Sequence, residues 1–163
     1  MPSHGGLEIF RLLIKAGADI SMRDDMGITP LHQAARAGDC PILDMLMQHG
    51  ADVNSQTKNG RTPLIEAIAV DSDRKPHLLV TTMLLERGAD VGLTSSDGRT
   101  VLHEMASMPQ KRLNELDINV VSLLLDNGAD PTARDHNGQL ASDLAARESN
   151  TKMVQVLERW GME

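Results

Sequence analysis

The chain has 163 residues, of which 40% are apolar and 24% are charged, so it is long enough for one domain with its own core. Its formal net charge of -7 argues against general nucleic-acid binding, which needs a basic surface. Its apolar runs are too short to span a bilayer, so we expect no membrane insertion.

The chain has one cysteine, Cys40, which cannot form an internal disulfide. A lone cysteine favours a reducing compartment, and we therefore expect the protein in the cytoplasm or the nucleus. We interpret Cys40 itself as a small buried apolar residue.

The first predicted element is a helix over residues 7–14, and it resembles the second helix of the units described below. Too few residues precede it for a first helix of that unit. We expect that the chain begins inside a longer array; the alternative is that Phe10 partly covers an open end. We expect a monomer, although this end could support oligomerisation, which light scattering at several concentrations would test.

Residues 24–54 predict a turn, a short helix, a second helix and a second turn. Thr29 places a capping hydroxyl before Pro30, and proline is tolerated at the first helical position. Gly38 ends this helix after about two turns. Gly50 supplies the left-handed residue that commonly ends a second helix.

Two markers repeat along the rest of the chain. Gly-Ala-Asp occurs at 17–19, 50–52, 88–90 and 128–130, and a turn glycine falls at 27, 60, 98 and 138. The steps between turn glycines are 33, 38 and 40 residues, which indicates a 33-residue unit with insertions of five and seven residues. Such short helix pairs cannot bury their apolar faces alone, so they must stack as a solenoid.

The unit has a specific sequence pattern. GITPLHQAA at 27–35 is followed by GADVN at 50–54, and GRTPL at 60–64 and GRTVLH at 98–103 repeat it. This pattern resembles the ankyrin repeat over residues 5–161. The resemblance implies an all-α ankyrin-repeat solenoid of stacked helix-turn-helix units joined by β-hairpin-like loops. We predict a single domain, 1–163, with a partial repeat at 1–23, repeats at 24–56, 57–94 and 95–134, and a C-terminal cap at 135–163.

Some units depart from the pattern. Val101 replaces the proline that opens a helix, and Ile65 replaces the histidine that His32 and His103 supply elsewhere. The last unit has no later neighbour to pack on, so its polar residues predict a solvent-facing cap. These residues are Ser142, Arg147, Glu148, Lys152, Glu158 and Arg159.

No catalytic constellation is present in the sequence, and we expect neither an enzyme nor a cofactor or metal site. His103 and Glu104 begin like a zinc-protease motif, but the second histidine is missing. The resemblance implies that His32 and His103 bind the backbone of neighbouring turns. The regularly spaced Asp52, Asp90 and Asp130 belong to the turns of the repeat, and the methionines Met45, Met47 and Met83 are interpreted as core residues.

Ankyrin repeats usually bind ligands on a concave face formed by hairpin tips and first helices. By register, the candidate partner-binding residues on this concave face are Arg23, Asp25, Met26, Ile28, Arg36, Lys58, Asn59, Arg61, Asp97, Arg99, Met108, Arg134, His136 and Arg147. Their neighbours on the same face are Ala37, Ala69, Val70, Ser96, Ser107, Asn137, Gln139 and Glu148. Seven cations against three anions give +4, or +2 if Glu66 and Glu104 are included. The arginines either solvate hairpin tips or bind an acidic or phosphorylated partner segment.

The two insertions, 71–75 and 109–115, are a second candidate surface. Both fall between the first and the second helix of successive units, so stacking would place them side by side. They could serve binding, or be tolerated because longer loops cost little. The charged candidates are Asp73, Arg74, Lys75, Lys111 and Arg112.

The predicted function is a protein-binding module, either scaffold or adaptor, which binds another protein through an extended or acidic segment. A second hypothesis is the regulatory or substrate-recruiting region of a larger enzyme or channel whose catalytic part lies elsewhere. A third is a structural spacer that binds nothing tightly. Repeats of this kind do not by themselves identify a pathway.

Overall fold

Helices form most of the regular structure in the residues that the computed structural model describes, 4–68, 78–108 and 115–162. Within these residues the only strand-like pairing is an isolated antiparallel bridge between Arg134 and Leu140. The all-α prediction is confirmed. The helices are α1 (His4–Lys15), α2 (Pro30–Ala37), α3 (Cys40–Gln48), α4 (Pro63–Ile68), α5 (Leu78–Glu86), α6 (Val101–Ala106), α7 (Glu115–Asp126), α8 (Ala141–Arg147) and α9 (Thr151–Gly161).

The helices pack in two layers. The inner layer consists of α2, α4, α6 and α8, each in contact with the next. The outer layer consists of α1, α3, α5, α7 and α9, which also contact one another in chain order. Within a unit, the inner helix packs on the outer helix that follows it, as α2 does on α3. This arrangement confirms the predicted stacked solenoid.

Local sequence signals determine where the helices begin and end. The Thr62 hydroxyl accepts a hydrogen bond from the Ile65 amide at 3.2 Å, and the Asp39 carboxylate accepts one from the Ile42 amide at 3.2 Å. These bonds satisfy amides that have no partner inside the helix. Gly38 ends α2 with φ of 70°, and Gly50 follows α3 with φ of 88°. The predicted caps and breaks are therefore confirmed.

The core lies between the two layers and is aliphatic. It includes Leu31, Leu46, Leu84 and Leu124, each at most 1% exposed. The predicted core methionines include Met45, Met47 and Met83, of which Met83 is only partly buried. Cys40 also differs from the prediction, because it opens α3 and is only partly buried. Burial still raises the pKa of its thiol.

The two ends of the stack differ. At the first end α1 packs on α3, so the prediction that it is an outer-layer helix is confirmed. Phe10 is partly buried against the core, whereas Ile9, Leu12 and Leu13 are more than half exposed. At the other end the charged side chains of Lys152, Glu158 and Arg159 are exposed on α9, as predicted for a cap, whereas Ser142 and Glu148 are partly buried. Oligomerisation through α1 remains a prediction.

The described residues cover little of the two insertions. The insertion at 71–75 lies wholly outside them, between the end of α4 and the start of α5. Of the insertion at 109–115, only Glu115 is described, and it begins α7 instead of ending a loop. The candidate residues Asp73, Arg74, Lys75, Lys111 and Arg112, with Ala69 and Val70 of the concave face, lie outside the described residues.

Candidate partner-binding surface

The concave face is built on four turns of one design. In each turn the amide of the turn glycine donates to the carbonyl three residues earlier, at 2.9 Å; the pairs are Gly27 to Asp24, Gly60 to Thr57, Gly98 to Ser95 and Gly138 to Asp135. All four glycines have φ between 72° and 77°, a left-handed conformation that side chains disfavour. The sequence repeat therefore produces four superimposable hairpin tips.

Backbone hydrogen bonds join each hairpin tip to the next. The Lys58 amide donates to the Met26 carbonyl at 2.9 Å, the Ser96 amide to Asn59 at 2.8 Å, and the His136 amide to Asp97 at 2.9 Å. We call these three bonds the tip ladder. A Cβ on Gly60 would lie 2.9 Å from the Thr94 carbonyl oxygen, so the tips are also closely packed. The ladder connects the four tips as one continuous surface.

Two buried histidines fix inner helices to the following hairpins. His32 Nδ1 accepts a hydrogen bond from the Thr29 amide at 3.2 Å, and Nε2 lies 3.0 Å from the Arg61 carbonyl oxygen. His103 makes the equivalent contacts with Thr100 and with the Gln139 carbonyl. Since Nδ1 is an acceptor, the Nε2–H donates, which requires a neutral ring. Burial lowers the pKa of His32. The predicted turn-stabilising role is confirmed.

Several candidate arginines bind the protein's own backbone. Arg23 donates through Nη1 to the Gln56 carbonyl at 2.7 Å, and Arg134 donates to the Gly138 carbonyl at 2.6 Å. Arg36 is partly buried and also has interactions of its own. All three side chains were predicted as partner contacts, but Arg23 and Arg134 also support hairpins of this chain. Because these side chains already have interactions within the chain, they are less available to bind a partner.

Arg61 lies in an ion-pair network between two inner helices. Its Nε is 2.6 Å from Glu66 Oε1 on α4, and its Nη1 is 3.6 Å from Glu104 Oε2 on α6. Burial alone would lower the pKa of Arg61, but the hydrogen bond and charge of Glu66, together with Glu104, raise it. The charge of Arg61 is therefore neutralised by carboxylates of this chain. Glu66 and Glu104 accordingly belong in the net charge of the concave face.

Arg99 is held in a similar way by two aspartates. Its Nε lies 3.3 Å from Asp97 Oδ2 and 3.8 Å from Asp135 Oδ2, and its Nη1 donates to the Ser107 hydroxyl at 3.4 Å. The Ser95 hydroxyl lowers the pKa of Asp97 by donating to it. The backbone amides of Gln139 and Asn137 lower the pKa of buried Asp135. With Asp135 added to Glu66 and Glu104, seven cations face six anions, so the face is +1.

The side chains that remain available are fewer than the sequence predicted. Met26 is 50% exposed at the first tip, and Lys58 is exposed on the next. Arg147 is exposed at the end of α8, and within the described part of the chain neither its side chain nor that of Lys58 has a hydrogen bond or an ion pair. Asp25, Asn59 and His136 are exposed as well, whereas Ile28 and Met108 are partly buried. Asp97 is also exposed but is already paired with Arg99.

Two recesses open on this face. One, of about 80 Å³, is lined by Met26, Ile28, Thr57, Asn59, Arg61 and Glu66. The other, of about 170 Å³, is lined by Arg99, Ser107, Leu144, Arg147 and Glu148. Thr57 and Leu144 were not among the predicted residues, because their contribution depends on how adjacent units stack.

A larger groove lies on the outer layer. It has a volume of about 420 Å³ between α1 and α3, and its apolar lining includes Leu7, Ile14, Pro41 and Met45. This groove was not predicted from the sequence. Its signal was the helical spacing of apolar residues on both helices, which was assigned to the core.

Two further features, a metal site and a membrane-spanning helix, are absent from the described residues. Among them, no three His, Cys, Asp or Glu side chains are grouped as metal ligands. No helix in the described ranges is both long and apolar enough to cross a membrane.

Comparison with known proteins agrees with this geometry. A family model described as ankyrin repeats (3 copies) matches residues 2–75 and 69–162, which together span nearly the whole chain. A search of curated proteins finds no match.

Proposed function

This chain belongs to the ankyrin-repeat family, whose repeats are generally protein–protein interaction modules, and we propose that it binds a partner protein through its concave face. The partner contributes an extended segment that carries acidic side chains. Binding requires little ordering of the module, because the surface is already formed.

The tip ladder is the observation that carries this proposal. Three backbone hydrogen bonds of 2.8–2.9 Å hold the four tips in a row, and His32 and His103 tie inner helices to the tips that follow. A row of fixed turns needs no rearrangement before a partner binds. Such pre-organisation favours a recognition surface over a passive spacer.

The two unpaired cations support an acidic partner. Lys58 is exposed on the second tip and Arg147 at the end of α8. Unlike Arg61 and Arg99, they form no ion pair with a carboxylate of the described residues. A carboxylate of the partner would therefore gain a charge-assisted contact without displacing an existing ion pair.

The test reverses these two charges. The double variant Lys58→Glu and Arg147→Glu should capture less of the partner, and the loss should be larger at low salt, because exposed charges are screened by ions. The partner is first identified by affinity capture and mass spectrometry, and its binding is then measured with purified protein. Reversing Arg36, Arg61 and Arg99 instead would confuse binding with folding, since these side chains already have interactions within the chain.

The matched control is Lys15→Glu with Arg159→Glu, which changes the same residue types on exposed outer helices. This control should bind as the unmodified chain does. Equal capture by both double variants would refute the proposed use of the concave face.

The same surface would recruit a substrate or a regulator if this chain is part of a larger enzyme or channel. In that case we propose that the chemistry lies outside these residues, since the motifs support no catalytic role here. The single cysteine supports a cytoplasmic or nuclear location.

A further inference from the structure

The first recess suits an apolar side chain. Met26 and Ile28 form its apolar wall, and Met26 is half exposed there. Its two charged residues, Arg61 and Glu66, are already paired at 2.6 Å. The recess has a volume of about 80 Å³, which is enough for one aliphatic side chain to enter. The Thr57 hydroxyl accepts a hydrogen bond from the Arg61 amide at 3.1 Å, and Asn59 is the remaining polar residue of the lining.

The second recess suits a carboxylate. Arg99 and Arg147 line the recess with one carboxylate, that of Glu148. Because Arg99 is already paired with Asp97 and Asp135, Arg147 is the cation that attracts an acidic group. Asp97 and Asp135 lie against Nε of Arg99 and hold the guanidinium in place. The contact from Arg99 Nη1 to the Ser107 hydroxyl is long, at 3.4 Å, and a carboxylate would bind that donor better. Within the described residues, the side chain of Arg147 has no hydrogen bond or ion pair that a partner carboxylate would have to displace.

The stacking of the units determines the distance between the recesses. The first lies between the tips that precede α2 and α4, and the second lies between the ends of α6 and α8. Two helix-to-helix steps of about 8–10 Å span about 16–20 Å. The second recess is also displaced by about 9 Å along the six-residue helix α6. The separation of roughly 18–22 Å equals about six residues of extended chain.

We propose that the concave face recognises a two-point motif: an aliphatic side chain in the first recess and a Glu or Asp carboxylate in the second, about six residues apart in an extended segment. This inference rests on the proposed function, and it specifies the partner. Charge complementarity at the second recess selects the acidic residue.

The experiment uses synthetic peptides with one leucine and one glutamate in a neutral polar background. The spacing between the two is varied around about six residues, in both orders, and binding to the complete chain is followed by fluorescence anisotropy at low salt. We expect one order to bind best near that spacing. Replacing the peptide glutamate by glutamine should weaken binding about tenfold, the size expected for one charge-assisted hydrogen bond.

Two variants assign the contacts. Arg147→Gln should remove the preference for glutamate over glutamine and keep the preference for leucine, while Met26→Ser should do the reverse. Arg159→Gln is the control and should change neither preference. Circular dichroism checks that each variant is folded.

Three outcomes would overturn the two-point motif: binding that is independent of spacing, absence of binding by every peptide, or a phosphoserine peptide that binds more than tenfold better than the glutamate peptide. These outcomes are separable from failure of the proposed function. If the Lys58→Glu and Arg147→Glu variant still loses its partner while spacing has no effect, the face binds proteins but not in this way. If capture is also unchanged, both proposals fail.

Discussion

At the scale of single residues, His32 is of a type that often serves catalysis or metal binding, but here its role is structural. Its imidazole is fully buried and spans the Thr29 cap and the Arg61 carbonyl. Protonation would place an N–H where the Thr29 amide already donates. The ring is therefore stable in the fold only when it is neutral.

This geometry predicts a pH dependence of folding. Burial lowers the pKa of His32 from its usual 6.5, so the unfolded chain binds the proton more readily than the folded one. The contribution of His32 to the free energy of unfolding should be constant above about pH 6.5 and fall as the pH decreases below it, by at most about 1.4 kcal/mol per pH unit. Urea denaturation between about pH 8 and pH 5, above the range of the carboxylates, measures this slope.

The control for this slope is His32→Gln, which should be less stable at every pH but lose less stability on acidification. The difference between the two proteins isolates His32 from the other histidines. Identical slopes would contradict a lowered pKa.

A second prediction concerns two glycines of one unit, Gly60 and Gly88. Both have positive φ, 72° for Gly60 and 83° for Gly88. A Cβ added to Gly60 would lie 2.9 Å from the Thr94 carbonyl oxygen, whereas a Cβ added to Gly88 would have no neighbouring atom within 4 Å. Gly88→Ala should cost about 1–2 kcal/mol for the left-handed conformation alone. Gly60→Ala should cost about 1–3 kcal/mol more, because the next tip must move. Thermal or urea denaturation compares the two, and equal losses would show that the tips are not closely packed.

At this scale the sequence predicted the scaffold better than the site. His32 and Gly60 belong to the repeat pattern, so their roles followed from the pattern. Asp97 lies in the same hairpin as Arg99, but Glu66 lies on the adjoining helix, and Glu104 and Asp135 lie in the next unit. Which carboxylate a long arginine side chain reaches depends on packing that a single sequence does not reveal.

At the scale of elements, the network of Arg61, Glu66 and Glu104 joins a hairpin to two inner helices. Glu66 is only 8% exposed and Arg61 is partly buried, so removal of either side chain leaves the other charge poorly solvated. We predict that Arg61→Ala and Glu66→Ala are each destabilising, and that the double variant is less destabilised than their sum.

A double-mutant cycle by urea denaturation should give a coupling of about 1–3 kcal/mol. A matched cycle on exposed Arg87 and Asp44, which are 2.9 Å apart on the outer layer, should give less than about 1 kcal/mol. Equal coupling in the two cycles would show that burial of the inner pair adds nothing.

The elements themselves were largely predictable. The threonine caps, the glycines after α2 and α3, and the identity of α1 as an outer-layer helix all followed from the repeat. The start of α7 at Glu115 did not, because the insertion before it has no counterpart in the regular unit. The two recesses also could not be predicted, since each is formed by side chains from adjacent units.

At the scale of the molecule, stability depends on position in the stack. Each inner unit packs on both sides, whereas α1 and α9 pack on one side only. We predict that amide hydrogen exchange is slowest in α4 and α6 and fastest in α1 and α9, because end units open with fewer contacts to break. Exchange followed by mass spectrometry tests this, and uniform protection along the chain would indicate all-or-none opening instead.

The tip ladder has a consequence for how such a chain can change during evolution. The steps between turn glycines are 33, 38 and 40 residues, yet the same hydrogen bond joins every pair of tips. The additional residues fall between the two helices of a unit. The hydrogen bonds of the tip ladder therefore form once per unit, whatever the number of residues in that unit. Lengthening or shortening those connections would leave the spacing of the recesses unaltered. The distance between binding recesses therefore depends on the number of stacked units and not on the length of the chain. A partner adapted to that distance would still bind after such insertions or deletions.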